Sequence, residues 1–182
     1  MLRLPVSIGE AIDKLTILEI KLSKIKNEDK NHQVKKEYDY LLTELSSFLQ
    51  KCQYHYKQLL TINKSLWNLE DIIRTELTTD ECADIAKKII YENDSRFRTK
   101  DKINKLLCSE IREQKAYIFK NFKEVNYKEL VEKHSDTEKI IEEILDYSVR
   151  NNSVKIINNE TQESFKKVQE FFKYDECVTF NL

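Results

Sequence analysis

The sequence predicts a mainly α-helical protein: a bundle, or hairpins, of long amphipathic helices followed by a small strand-helix-strand appendage. Three observations carry this. Only one glycine and one proline, Gly9 and Pro5, occur in 182 residues, far too few for the many tight turns of an all-β fold. Apolar residues recur in steps of three and four over most of the first two thirds of the chain, the period of a helix with one buried face. The last third carries two β-prone runs, Val154–Ile157 and Cys177–Phe180. The expected organisation is a helical domain over 1–147 with a small α+β tail, 148–182, packed on it.

Ser7-Ile8-Gly9-Glu10 reads as a capping box, in which Ser7 takes a backbone N–H and Glu10 reaches back to the helix start. Ala11, Leu15, Leu18, Leu22 and Ile25 then form one stripe, and the helix is expected to end near Asn27–Lys30. A second helix is predicted from about Asn31, with Val34, Tyr38, Leu41, Leu45, Phe48 and Leu49 on its apolar face, and a third carries Leu59, Ile62, Leu66, Leu69 and Ile73. Thr78-Thr79-Asp80-Glu81 opens a fourth with another cap, and its stripe continues through Ile118. Forty residues of helix would span about 60 Å. Ser135-Asp136-Thr137-Glu138 caps a further helix through about Tyr147. In the tail, a helix over 161–173, with Asn159 as its cap, separates the two β-prone runs, a spacing that suits a parallel crossover. Leu2–Val6 is a candidate edge strand, where Pro5 is tolerated.

Bulk properties exclude several functions. The formal net charge is −1, so the whole surface is no footprint for nucleic acid, and no nucleic-acid binding is expected. The charge is unevenly spread: residues 87–123 hold eleven Lys or Arg against five Asp or Glu, and residues 124–147 hold eight acidic against three basic. Neighbouring helices of opposite sign neutralise each other. Tyr91, Phe97 and Tyr117 among these basic residues fit core or interface better than a base-stacking surface. Cys52, Cys82, Cys108 and Cys177 are widely spaced, and His32, His55 and His134 lie apart from them. Neither a disulfide framework nor a metal site is indicated, and no cofactor motif occurs. No secretory signal or transmembrane segment is read, so a cytoplasmic protein is expected.

Helical wheels single out polar residues within the apolar arcs. Glu19 lies among Ile12, Leu15 and Leu22, and Glu70 lies beside Leu66 and Ile73. Asn63 and Arg74 border the same arc, and Asn93, Lys100, Asn104 and Lys115 lie in the stripe of the fourth helix. An unpaired buried charge costs several kcal/mol, so these eight residues must pair, admit water or meet a ligand. One reading is a buried polar network that sets helix register. Another is a polar pocket in which Lys100 and Arg74 hold an anion and Glu70 or Glu19 moves a proton. A third leaves these faces in water. If Glu19, Glu70 and Lys100 form one network, Lys100→Met costs on the order of 3 kcal/mol and Glu70→Gln restores part of it.

The run from Pro5 to Lys21, the segment Leu66–Arg74, and the stretches Tyr91–Asp94 and Ser109–Tyr117 resemble a family of small helical proteins of unknown function, over about residues 5–118. The resemblance implies a bacterial or viral setting, often near or fused to glycosyltransferases of surface-polysaccharide synthesis. It supplies no catalytic residues. Cys108 departs from the pattern, which has a small Gly there. The function expected is a non-catalytic binding or assembly module beside enzymes of glycan synthesis, with a glycosyltransferase as a partner. The alternative is a small helical-bundle enzyme with a buried anion-binding Glu/Lys/Arg pocket, by architectural analogy with chorismate-mutase-like bundles. A homodimer through coiled-coil-like helix packing is expected, because Tyr38, Tyr40, Tyr54 and Tyr56 add apolar surface off the main stripes.

Overall fold

A computed structural model describes residues 4–115, 121–158 and 163–181. It is mainly α-helical and divides into two compact units, 1–116 and 117–182.

The first unit is built from four helices, α1 (Ile8–Lys24), α2 (Glu28–Leu49), α3 (Gln53–Ile72) and α4 (Thr79–Leu106). Helix α1 packs against each of the other three and is buried on more than its leucine stripe. Ile12, Leu15 and Leu18 lie inside, and so do Gly9, Asp13, Thr16 and Ile20. Leu45, Cys52, Leu59 and Ile103 close the core around Ile12 and Leu15. The α1–α2 junction is tighter than the wheel suggests. Asn27 caps α2, accepting from Lys30 N at 3.0 Å. Asn31, the expected start of that helix, instead donates to Leu22 O and Ile25 O at the end of α1. These otherwise orphaned carbonyls are thereby satisfied. The Thr78–Glu81 capping box forms as the sequence predicts.

The fourth helix is shorter than its stripe implies. It stops at Leu106, and Cys108 turns the chain with a φ of 51°. Ser109 N reaches back to Asn104 O at 2.8 Å, the bond of a left-handed helix terminus. Residues 111–115 then run without helix or strand. Periodicity overshot here because a chain returning along its own helix also places apolar and basic residues at intervals.

The second unit is a three-stranded parallel sheet, β1 (Phe122–Asn126), β2 (Ser153–Ile157) and β3 (Val178–Asn181), in the order β1-β2-β3. Val125 is level with Ile156, and Ile156 with Phe180. Helices α5 (Tyr127–Lys133) and α6 (Thr137–Arg150) connect the first two strands, and α7 (Glu163–Phe172) the last two. The parallel β2–α7–β3 crossover matches the sequence prediction. Strand β1 escaped it because only Val125 of its five residues is buried. Residues 4–6 of the candidate edge strand are not in a strand, and Leu2 and Asn159 lie outside the described residues. Ile140, Ile144, Leu145 and Val149 of α6 are buried, and α6 packs on α7 and β2. The sheet thus recruits a helix that the sequence reading assigned to the domain 1–147. No helix among the described residues is long and apolar enough to cross a membrane.

Candidate functional site

The polar core of the first unit begins at the start of α1. Ser7 caps the helix, accepting from Glu10 N at 3.1 Å. The Glu10 carboxylate, which a capping box would turn back to the helix start, accepts from Lys100 Nζ of α4 at 2.8 Å. This exchange depends on a close crossing. Gly9 N donates to Asn104 Oδ1 at 2.7 Å, and Ile8 N donates to Ser109 Oγ at 3.2 Å. Two open N–H groups of the helix start are thus satisfied by α4 and the turn that follows it.

One helical turn on, Asp13 is only 1% exposed. It accepts from Arg96 Nε at 2.9 Å, from Arg96 Nη2, and from Asn63 Nδ2 at 2.8 Å. Asn63 also donates to Thr16 Oγ1 at 2.7 Å. A bidentate guanidinium–carboxylate pair of this kind fixes orientation as well as charge. The hydrogen bond to Asp13 raises the Arg96 pKa against the opposing effect of burial. Burial pulls the Lys100 pKa down, but Glu10 and Glu113, the latter at 2.5 Å, more than offset it, and the net shift is upward. Lys115 pairs with the buried Asp94 and lies 5.8 Å from the Phe97 ring centre. Both Glu113 and Lys115 come from the irregular segment that doubles back after Cys108.

These groups surround an open cavity of about 410 Å³, lined by Glu10, Asn93, Arg96, Phe97, Lys100, Glu113 and Lys115. Three cations and two carboxylates thus face one space, with Asp13 and Asp94 holding two of the cations from outside the lining. Among the described residues, no cluster of His, Cys, Asp and Glu is arranged to hold a metal ion.

Of the eight residues singled out by the wheels, Asn93, Lys100 and Lys115 line the cavity. Asn63 and Asn104 lie in the adjoining buried network, 4% and 1% exposed. The other three lie elsewhere. Glu70 pairs with Arg74 one turn away at 2.8 Å, with the Arg74 side chain exposed and the Glu70 side chain about half exposed. Glu19 is half-buried and accepts from Tyr56 OH, tying α1 to α3 away from the cavity. Burial, helped by Glu19, raises the Tyr56 pKa.

Sequence reasoning missed Glu10, Asp13, Arg96 and Glu113. A signal for Asp13 was present. Gly9, Asp13, Thr16 and Ile20 form a second stripe on α1, beside the leucine stripe. Glu113 carried no periodic signal, because the segment that bears it is not helical.

Comparison with curated proteins and with solved structures found no match. A family model described as a family of unknown function (DUF6165) matches residues 2–124, from before α1 into β1 and through every residue of the cavity. With more than half of its length matched, the chain belongs to this DUF6165 family of unknown function.

Proposed function

We propose that the chain is a non-catalytic binding module whose cavity, between the start of α1, the middle of α4 and the segment after it, holds a small polar ligand. The observation that carries this is the open cavity at Lys100. A polar network that served only helix register would be filled. A space of about 410 Å³ lies within the range of small-ligand sites. Lys100 and Arg96 are held in their charged forms by carboxylates, which suits fixed recognition charges better than groups that exchange protons. The family resemblance adds a setting beside glycosyltransferases of surface-polysaccharide synthesis, and the amphipathic helices with their off-stripe tyrosines add a homodimer, in a protein that the sequence reading expects in the cytoplasm. Exposed Tyr40, Leu42 and Ile90 are apolar surface available for such pairing.

Differential scanning fluorimetry against a panel of small polar metabolites tests the reading. Saturable stabilisation of the wild type, lost in Lys100→Met, is the expected result. If no panel member raises the wild-type midpoint, the cavity is not a binding site.

A further inference from the structure

The charges around the cavity are not equally committed to it. Lys100, Arg96 and Lys115 have side chains 10%, 26% and 28% exposed, whereas Glu10 and Glu113 are 50% and 47% exposed. The cations are therefore the sheltered partners, and the two lining carboxylates are the ones that water already reaches. These two differ in their support. Glu10 stands on a helix whose start is pinned to α4 through Gly9 and Asn104. Glu113 stands on a segment without helix or strand, tied at Ser109 to Ile8 N and at Lys115 to Asp94, and it meets Lys100 at the end of its own side chain.

Charge counting separates the possible ligands. Arg96, Lys100 and Lys115 face Glu10, Asp13, Asp94 and Glu113, a net of −1. With Glu113 swung out to water the remaining cluster is neutral. A singly charged anion entering in its place restores the original balance. A phosphate dianion would leave an excess of −2 in a partly buried site, where like charges are poorly screened. A neutral polyol would have to leave the Lys100–Glu113 pair closed. The Phe97 ring, which lies in the lining, offers apolar contact for the body of a ligand, although Lys115 already stands near it.

We propose that Glu113 stands in for the acid group of the natural ligand, and that the cavity takes a small organic carboxylate which replaces Glu113 on Lys100. This rests on the binding function proposed above and adds the ligand's class and the residue it displaces. The exchange trades one carboxylate for another on the same ammonium, so the resident group acts as a competitor and lowers the apparent affinity.

Isothermal titration calorimetry on the full chain, at constant ionic strength and neutral pH, uses acetate, lactate and gluconate as probes. Inorganic phosphate and glucose are the contrasting arms. Glu113→Gln keeps the shape of the side chain and removes its charge. It is expected to bind the best carboxylate about tenfold more tightly than the wild type, and Lys100→Met to bind none. Circular dichroism confirms that each variant is folded, and Glu113→Ala serves if the glutamine variant is not. Carboxylate binding that is unchanged or weaker without the Glu113 charge overturns the proposal. So does tighter binding of phosphate or glucose than of any carboxylate. A metabolite that stabilises the protein in fluorimetry, while no carboxylate binds in calorimetry, leaves the binding function standing and removes only its carboxylate class.

Discussion

Gly9 lies directly against the backbone carbonyl of Lys100. A Cβ at Gly9 would sit 2.6 Å from Lys100 O and 2.9 Å from Asn104 Oδ1. The first of these is main chain and cannot rotate aside, so even a methyl group must push α1 away from α4. Overpacking of this kind costs about 2 kcal/mol. Gly9→Ala is expected to lower the urea midpoint accordingly. It should also weaken the Glu10–Lys100 contact, because both pairs share the crossing. An unchanged midpoint would mean that the helices are not in this contact.

Asp13 is the most deeply buried carboxylate of the cluster and serves two partners, Arg96 and Asn63. Asp13→Ala leaves the Arg96 guanidinium without this acceptor and the Asn63 amide with Thr16 alone, for a loss of about 3 kcal/mol. Adding Arg96→Met removes the orphaned charge and is expected to restore part of that loss. A double-mutant cycle in guanidinium chloride measures the coupling, and additive effects would show that the pair is not a unit.

How much of this was legible follows from how each residue is enclosed. The stripes of α1, α2 and α3 and the capping box at Thr78 depend on local spacing, and the sequence carries them openly. Lys100, Asn93 and Asn104 were legible because each lies on the wheel beside apolar residues of α4, although the buried face of that helix turns out to be mostly polar. Glu70 and Arg74 have the same pattern, but they pair with each other one turn apart on α3, and a wheel cannot show that two charges on one helix satisfy each other. Asp13 was hidden for another reason. A helix packed against three others is buried beyond its most apolar stripe, and a wheel centred on leucines places the second face in water. Lys115, which the wheel placed in the stripe of a continuous helix, reaches the cavity by way of the turn at Cys108 instead.

That turn gives a prediction of its own. Cys108 adopts φ 51°, a region where a side chain is strained and glycine is not. Cys108→Gly relieves the strain but adds freedom to the unfolded chain. The net expectation is a gain of about 0.5–1 kcal/mol, read as a higher urea midpoint with an unchanged slope. A loss of stability would show that the thiol contributes more than the backbone conformation costs.

In the second unit, Glu143 of α6 accepts from Lys133 Nζ at 2.8 Å, from Tyr147 OH and from His134 Nε2. Burial would raise its pKa, but these hydrogen bonds more than offset that and hold it at about 2. A carboxylate whose folded pKa is depressed binds its proton more readily when unfolded. Its contribution to stability is therefore complete above the ordinary glutamate range, near pH 4.5, and is lost as the pH falls towards 2. Glu143→Gln is expected to flatten the acid limb of the second unit's unfolding profile, followed through the methyl resonances of Ile144 and Val149. An equally steep acid limb in the variant would assign the acid sensitivity to other groups.

The last prediction separates the cavity from a sealed network. Were Lys100 locked into a dry cluster with Glu19 and Glu70, Lys100→Met would cost on the order of 3 kcal/mol and Glu70→Gln would recover part of it. The contacts are different. Glu70 is engaged with Arg74, and Glu19 with Tyr56. Lys100 holds Glu10 and Glu113, both about half exposed. Deleting the ammonium leaves two carboxylates that can turn to water, so the expected loss is only about 1 kcal/mol. The methionine also keeps the apolar stem in place. Glu70→Gln should add nothing to the recovery. Glu113→Gln should show measurable coupling to Lys100→Met, because it removes one of the two negative charges left facing each other. Urea midpoints for the two double variants decide between these arrangements. Coupling of Lys100 to Glu70 would contradict the pairing of Glu70 with Arg74, and a loss near 3 kcal/mol would mean that water does not reach the carboxylates as the cavity requires.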